Sequence, residues 1–279
     1  MLKNYTFIGD ETGIDANSKI CAVAGLVGGE KAWEKFDKKW RGVLEIEDIP
    51  YFHAVECERG TENFYGLDVM KRGKIVDRLV QIIMNSTLDI YSYGLVKPHF
   101  AAWSEDDRKW FTNGNPDDPY YLVLDHLFVG SSQAADELEK IEKIEYVFEE
   151  QNEFEQEATR IFKELRAGSQ WPNHFRLGEI NFPESTPENR IKYPGIQAAD
   201  LLAYETFRHL QNKHFKPDLK PEWKNRVALK VMGEKLYKNH NCSYFDEEAF
   251  ANLSTLRAGW DYDRNVAAHD WEWKKREKK

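Results

Sequence analysis

The chain has 279 residues, a formal net charge of -9 and a mean hydropathy of -0.70. Its length admits one large domain or two small ones, and its acidic balance argues against broad electrostatic capture of nucleic acid, which needs a basic surface. With 41% hydrophobic and 14% aromatic residues the core material is ample, yet no apolar run approaches the roughly 20 residues of a membrane span.

No signal-peptide pattern follows Met1-Leu2-Lys3. Cys21, Cys57 and Cys242 are far apart and form no CxxC pair, so free thiols in a reducing cytoplasm are expected rather than a disulfide frame or a zinc ribbon.

Tyr5–Gly9 and Lys19–Val27 read as strands joined by a turn over Glu11–Ser18. The run from Ile20 to Val27 is continuously apolar, as in a central strand. Lys31–Glu45 repeats Trp33, Phe36, Trp40 and Leu44 at helical spacing. Ile49–His53 is a short extended piece, Leu67–Asn85 a helix and Leu88–Val96 a strand. Lys97–Asn115 reads as an aromatic loop ending in Asn113-Gly114-Asn115-Pro116. Its Lys97, His99, Arg108 and Lys109 offer phosphate contacts beside the aromatic rings, or the whole loop is a lid on the core.

Tyr120–Leu138 reads as a helix, Ile144–Phe148 as a strand, Glu153–Arg166 as an amphipathic helix and Phe175–Asn181 as a further strand. Helices follow at Ile196–Leu210 and Trp223–Asn239; the last forty residues read as irregular and aromatic, with a frayed charged tail from Lys274. Early strands followed by alternating helices and strands predict an α/β domain, a mixed sheet flanked by helices with helical and loop insertions. One domain over residues 1–279 is expected, with an elaborated C-terminal region from about 213 to 279.

Acidic residues stand at unusual places in this plan. Asp10 and Glu11 follow the first strand, and Glu149 and Glu150 follow Ile144–Phe148. Asp200 lies in Gln197-Ala198-Ala199-Asp200-Leu201-Leu202-Ala203, a helix apolar on nearly every side, with no Lys or Arg within a turn. A carboxylate there is costly unless something cationic meets it. In layered α/β proteins strand ends and helix starts collect along one sheet edge, where sites form. His53 and Glu56, three residues apart, share a face if their segment is helical. Hard oxygen ligands of this kind suit Mg²⁺ or Mn²⁺, and such ions serve phosphodiester hydrolysis.

Phe7-Ile8-Gly9-Asp10-Glu11-Thr12-Gly13 near the start, together with the Gln197–Ala203 motif, resembles the domain-of-unknown-function family 3800 over about residues 5–210. The late motif matches the family's Gln-x-Ala-Asp-Leu pattern. The early one departs from it at Gly9, which interrupts an aliphatic-Asp junction, and at Thr12, which replaces Ser. The resemblance implies a ribonuclease H-like fold and metal-dependent nuclease activity. It implies Asp10 and Asp200 as site carboxylates and Glu149 as the acidic end of a middle strand. His53 and Glu56 match a His-containing segment before a helix.

The expected function is therefore a Mg²⁺- or Mn²⁺-dependent nuclease acting on RNA or DNA. Asp10, Glu149 and Asp200 are its expected metal ligands, with Glu56 as a fourth candidate carboxylate of the site and His53 or Glu150 in proton transfer. The alternative is a non-catalytic nucleic-acid-binding or regulatory module of a mobile-element or phage-defence system, with a protein partner. No GK[ST] phosphate loop and no GxSxG elbow is present, so neither P-loop nor Ser/His/Asp chemistry is supported.

Overall fold

The computed structural model describes residues 3–137, 141–167, 177–216, 218, 232 and 242–259. Among these residues six strands form one mixed sheet: β1 (Lys3–Thr12), β2 (Ile20–Gly29), β3 (Asp89–Val96), β4 (Ile141–Phe148), β5 (Leu177–Asn181) and β6 (Cys242–Phe245), in the order β5-β4-β1-β2-β3-β6. The first three strands pair antiparallel as a meander. β4 runs parallel to β1, β5 parallel to β4, and β6 parallel to β3. The continuously apolar β2 is buried along nearly its whole length, as its sequence requires of a strand covered on both faces.

Side chains alternate across a strand, and the two faces gather separate cores. On one face Ile8, Ala24 and Leu26 pack with α1 (Glu30–Ile46), α2 (Ala54–Arg59), α3 (Val69–Met84) and α9 (Pro194–Phe215). On the other face Phe7, Val23 and Tyr146 pack with α6 (Pro119–Glu137) and α7 (Asn152–Ala167). Trp33, Phe36, Trp40 and Leu44 form the buried stripe of α1, and the Trp33 indole donates to Thr6 O at 3.0 Å, pinning that helix to β1. Pro194 opens α9, where its missing N–H costs nothing. Ile196–Ala199 and Leu201–Ala203 are buried against the sheet.

β1 runs on to Thr12, so Asp10 and Glu11 lie inside the strand rather than beyond it. The reason is its partner: β2 continues the ladder, with Asp10 opposite Ala24 and Thr12 opposite Ala22. Gly9 is explained by close packing. A Cβ there would stand 2.4 Å from the Phe148 ring and 2.7 Å from the Phe7 ring, so those aromatics occupy the space a side chain would need. Gly13, at φ +74°, turns the chain out of the strand in a conformation other residues rarely adopt.

The stretch expected as an aromatic loop is helical: α4 (Lys97–Ala102) and α5 (Glu105–Phe111). Its local signals are a Pro in the first turn of α4 and Ser104, whose hydroxyl accepts from Asp107 N at the start of α5. Phe100 and Trp103 are buried, with Trp103 packed on Phe250 at 4.7 Å between ring centres. Lys97 Nζ donates to Asp15 O at 2.9 Å and Tyr120 Oη at 2.8 Å, Arg108 donates to Ala101 O, and Lys109 pairs with Glu105. The segment thus closes the core as a lid; Lys97 and Arg108 are bound to oxygens of the protein, while Lys109 pairs with Glu105 at the surface.

The C-terminal region is also more regular than its sequence suggests. It contributes β6 and a helix over 247–259, whose first turn is capped by Asp246 accepting from Ala249 N. The expected helix over Trp223–Asn239 lies, apart from Met232, outside the described residues, as does the tail from Lys274. Among the described residues no helix is long and apolar enough to cross a membrane.

Candidate active site

β1 and β4 are neighbours in parallel register, with Gly9 beside Phe148. One residue further along each chain come Asp10 and Glu149. The pleat aims them to the face of Ile8 and Val147, across which α9 lies. Asp200, in the second turn of α9, completes the group. Asp10, Glu11, His53, Glu149, Arg190 and Asp200 line one cleft of about 320 Å³.

Asp10 and Glu149 are each 6% exposed and Glu11 is 4% exposed, so these carboxylates are largely removed from water. Among the described residues Asp10 Oδ1 and both Glu11 carboxylate oxygens have no hydrogen-bond partner. Burial, and then the charges of Glu11, Asp200 and Glu149, hold the Asp10 carboxyl well above the usual carboxylate range. Burial, and then Glu149, do the same to Glu11. Asp200 is pushed up to about 6 by burial, against the opposing influence of His53, the Ala54 N–H and Arg190.

The sequence asked what compensates Asp200. Part of the answer is backbone: Asp200 Oδ2 accepts from Ala54 N at 2.7 Å, at the first residue of α2. His53 precedes α2, and its Nδ1 meets Glu56 Oε1 at 2.9 Å. The two residues therefore do share a face, but only His53 lines the cleft, while Glu56 stands behind it and orients the ring. Glu150 also stays out of the lining; its backbone N–H donates to Pro183 O.

Glu149 is met by a cation that sequence reasoning did not name. Arg190, on α8 (Pro187–Lys192), binds it through two hydrogen bonds, Nε to Oε1 at 2.8 Å and Nη2 to Oε2 at 3.0 Å. This fork geometry is among the strongest side-chain pairings, and the Glu149 contact, with burial opposing it, raises the guanidinium pKa further. Arg190 stands 41 residues from Glu149 in the chain, so no local pattern links them.

Gln197 enters the sequence reading only as part of the Asp200 motif, with no role of its own. It is 2% exposed. Its Oε1 accepts from Trp40 Nε1 at 2.9 Å and Phe52 N at 2.8 Å, and its Nε2 donates to Arg190 O at 2.7 Å. One amide thus joins α1, the segment before His53, α8 and α9. Gln197→Leu strands two buried N–H groups and the part-buried Arg190 O, each buried one costing on the order of 1–3 kcal/mol when left unpaired. The expected result is a loss of several kcal/mol in urea unfolding. A loss below about 1 kcal/mol would mean that the bracket carries no structural weight.

Glu11 is the other addition. The sequence puts it in the turn over Glu11–Ser18, and its burial inside β1 is what marks it as a site group. Among the described residues no group of three or more His, Cys, Asp or Glu side chains is placed to hold a metal ion; Glu149 is turned onto Arg190 instead. The chemistry of the cleft's carboxylates, though not their spacing, suits a hard divalent cation. The donors are all oxygen, they include bare buried carboxylate oxygens, and their mutual repulsion is what a cation relieves. No protein-family model matches the chain, and no curated protein is significantly similar to it in sequence.

Proposed function

We propose that this protein is a Mg²⁺- or Mn²⁺-dependent nuclease with a ribonuclease H-like sheet, hydrolysing phosphodiester bonds in RNA or DNA. The observation that carries the reading is the meeting of Asp10, Glu149 and Asp200 in one cleft at the ends of β1 and β4, with bare oxygens on Asp10 and Glu11. The sheet supports it: an antiparallel meander with parallel strands added on the β1 side puts the acidic ends of β1 and β4 next to each other.

In this reading Asp10, Glu149 and Asp200 hold the ion, with Glu11 adding negative charge behind them. When bound, the ion polarises the phosphate and activates the attacking water. The Ala54 N–H and Gln197 fix the orientation of Asp200 and its surroundings. His53, steadied by Glu56, is placed to take or give a proton at the cleft wall. The free cysteines suit a reducing, cytoplasmic setting.

One observation favours the second reading, a non-catalytic nucleic-acid-binding or regulatory module: the Arg190–Glu149 pair already neutralises one of the carboxylates. The test is incubation with single-stranded RNA, single-stranded DNA and a hybrid duplex, each with Mn²⁺ and with EDTA. Cleavage confined to the Mn²⁺ samples is expected. Cleavage that persists in EDTA overturns the metal mechanism. Binding without cleavage of any of the three moves the assignment to the module.

A further inference from the structure

The structure assigns to Arg190 a second partner: we propose that it is the cleft's phosphate-binding side chain, held in reserve by Glu149 until a divalent cation takes that carboxylate. The inference rests on the metal-centre reading above and names the group that would meet the substrate there.

The argument starts from the composition of the cleft wall. Its charged lining comprises Asp10, Glu11, Asp15, Glu149 and Asp200 on the negative side, with Arg190 and His53 as the basic side chains. A phosphodiester carries a negative charge, and a wall of this kind repels it. A divalent cation offsets part of the repulsion, but an anion seated beside five carboxylates is better held with a fixed positive group of its own. Arg190 is of the right chemical type, since a guanidinium offers a planar fork of N–H donors that matches phosphate as well as carboxylate.

Its surroundings suit an exchange of partners. Two of its five donors go to Glu149 and a third, at 3.4 Å, reaches Ser185 Oγ; the remaining two have no hydrogen-bond partner among the described residues. The guanidinium lies 5.9 Å from the centre of the Tyr51 ring, a cation–π contact that is independent of Glu149. Its backbone is fixed by Gln197 Nε2 on Arg190 O. Losing Glu149 therefore leaves the side chain supported by Tyr51 and by the α8 backbone. The Arg190 side chain is 21% exposed whereas the Glu149 side chain is 8% exposed, so of the two it is Arg190 that a ligand entering the cleft meets.

The same geometry makes a competing reading concrete. If Arg190 only props Glu149 in a metal-binding pose, its removal weakens metal binding. If it occupies Glu149 in place of metal, its removal strengthens metal binding, because the cation no longer has to displace a bidentate pair.

The experiment measures Mn²⁺ binding by titration calorimetry on the full-length wild type, Arg190→Gln and Arg190→Lys. Binding of thymidine 5′-monophosphate, as the phosphate probe, is then measured at saturating Mn²⁺. Circular dichroism checks that each variant is folded, and Arg190→Lys keeps the charge if the Gln variant does not fold. Arg190→Gln is expected to bind Mn²⁺ on the order of tenfold more tightly and the nucleotide on the order of tenfold more weakly. Arg190→Lys, with a point charge and no fork, is expected to fall between in metal affinity and to bind the nucleotide several-fold more weakly. Weaker Mn²⁺ binding in both variants overturns the proposal in favour of a prop for Glu149 and leaves the nuclease reading standing. Unchanged nucleotide affinity in both also overturns it. Mn²⁺ binding by none of the three proteins overturns the nuclease reading together with this one.

Discussion

Asp10→Asn and Asp200→Asn should each lower Mn²⁺-dependent cleavage on the order of 10²-fold or more, while leaving the fold and nucleic-acid binding in place. Both substitutions are close to isosteric, so the loss would follow from charge and ligation rather than from packing. For Asp200 the control is built into the structure, because an Asn side-chain oxygen can still accept from Ala54 N. For Asp10 the oxygen without a partner is the one that a cation would claim. Binding of single-stranded nucleic acid should survive both changes or improve, since each removes a negative charge near the phosphates. Cleavage rates and filter-binding affinities measured on the same preparations separate these effects. Full activity in Asp200→Asn would place the chemistry outside this cleft.

How much of this was readable in the sequence depends on the range of each interaction. The apolar run Ile20–Val27 and the stripe of α1 at Trp33, Phe36, Trp40 and Leu44 are local patterns, and they appear in the structure as a central strand and a buried helix face. Asp200 was conspicuous because its helical neighbours are apolar. By contrast, α4 and α5 were masked by aromatic residues and by the Asn-Gly-Asn-Pro segment, although Pro98 and Ser104 carried the capping signals.

Glu11 was read as a turn residue because the length of β1 is set by its β2 partner, which the β1 sequence does not contain. Arg190 and Gln197 were beyond sequence reasoning of this kind. Their roles rest on contacts across 41 and 157 residues of chain, which exist only once β4, α1 and α9 are assembled.

In metal-free buffer the wild type should lose stability relative to Asp200→Asn as pH rises from about 4 to 8, and Mn²⁺ should reverse that loss. A carboxyl with a raised folded-state pKa binds its proton more tightly folded than unfolded. Its cost to stability is therefore absent below the ordinary carboxylate pKa and grows as pH climbs through the folded value. For Asp200 that value is about 6, against an ordinary 3.8, so most of the change falls between these two pH values. Asp10 and Glu11 are shifted the same way, so charging the cluster step by step builds up its mutual repulsion.

Other groups act on the same melting curve. The lowered pKa values of Asp107 and Asp246 make their stabilisation disappear at acid pH, and the lowered values of His209 and His214 add a cost as pH falls through the histidine range. The raised Asp118 works in the same direction as the cluster. Taking the difference between wild type and Asp200→Asn cancels all of these, since none of them is changed by the substitution.

The difference in melting temperature should be near zero at pH 4 and should favour Asp200→Asn by several degrees at pH 8 in EDTA, since 1–3 kcal/mol corresponds to a few degrees per kcal/mol in a chain of this size. At pH 8 an ion present at 100 times its dissociation constant adds about 2.7 kcal/mol to the wild type. The variant, lacking one ligand, should gain much less. A difference that stays flat with pH would mean that Asp200 is not charged against its neighbours. An equal Mn²⁺ gain in both proteins would mean that the cation binds somewhere other than the Asp10–Glu149–Asp200 cleft.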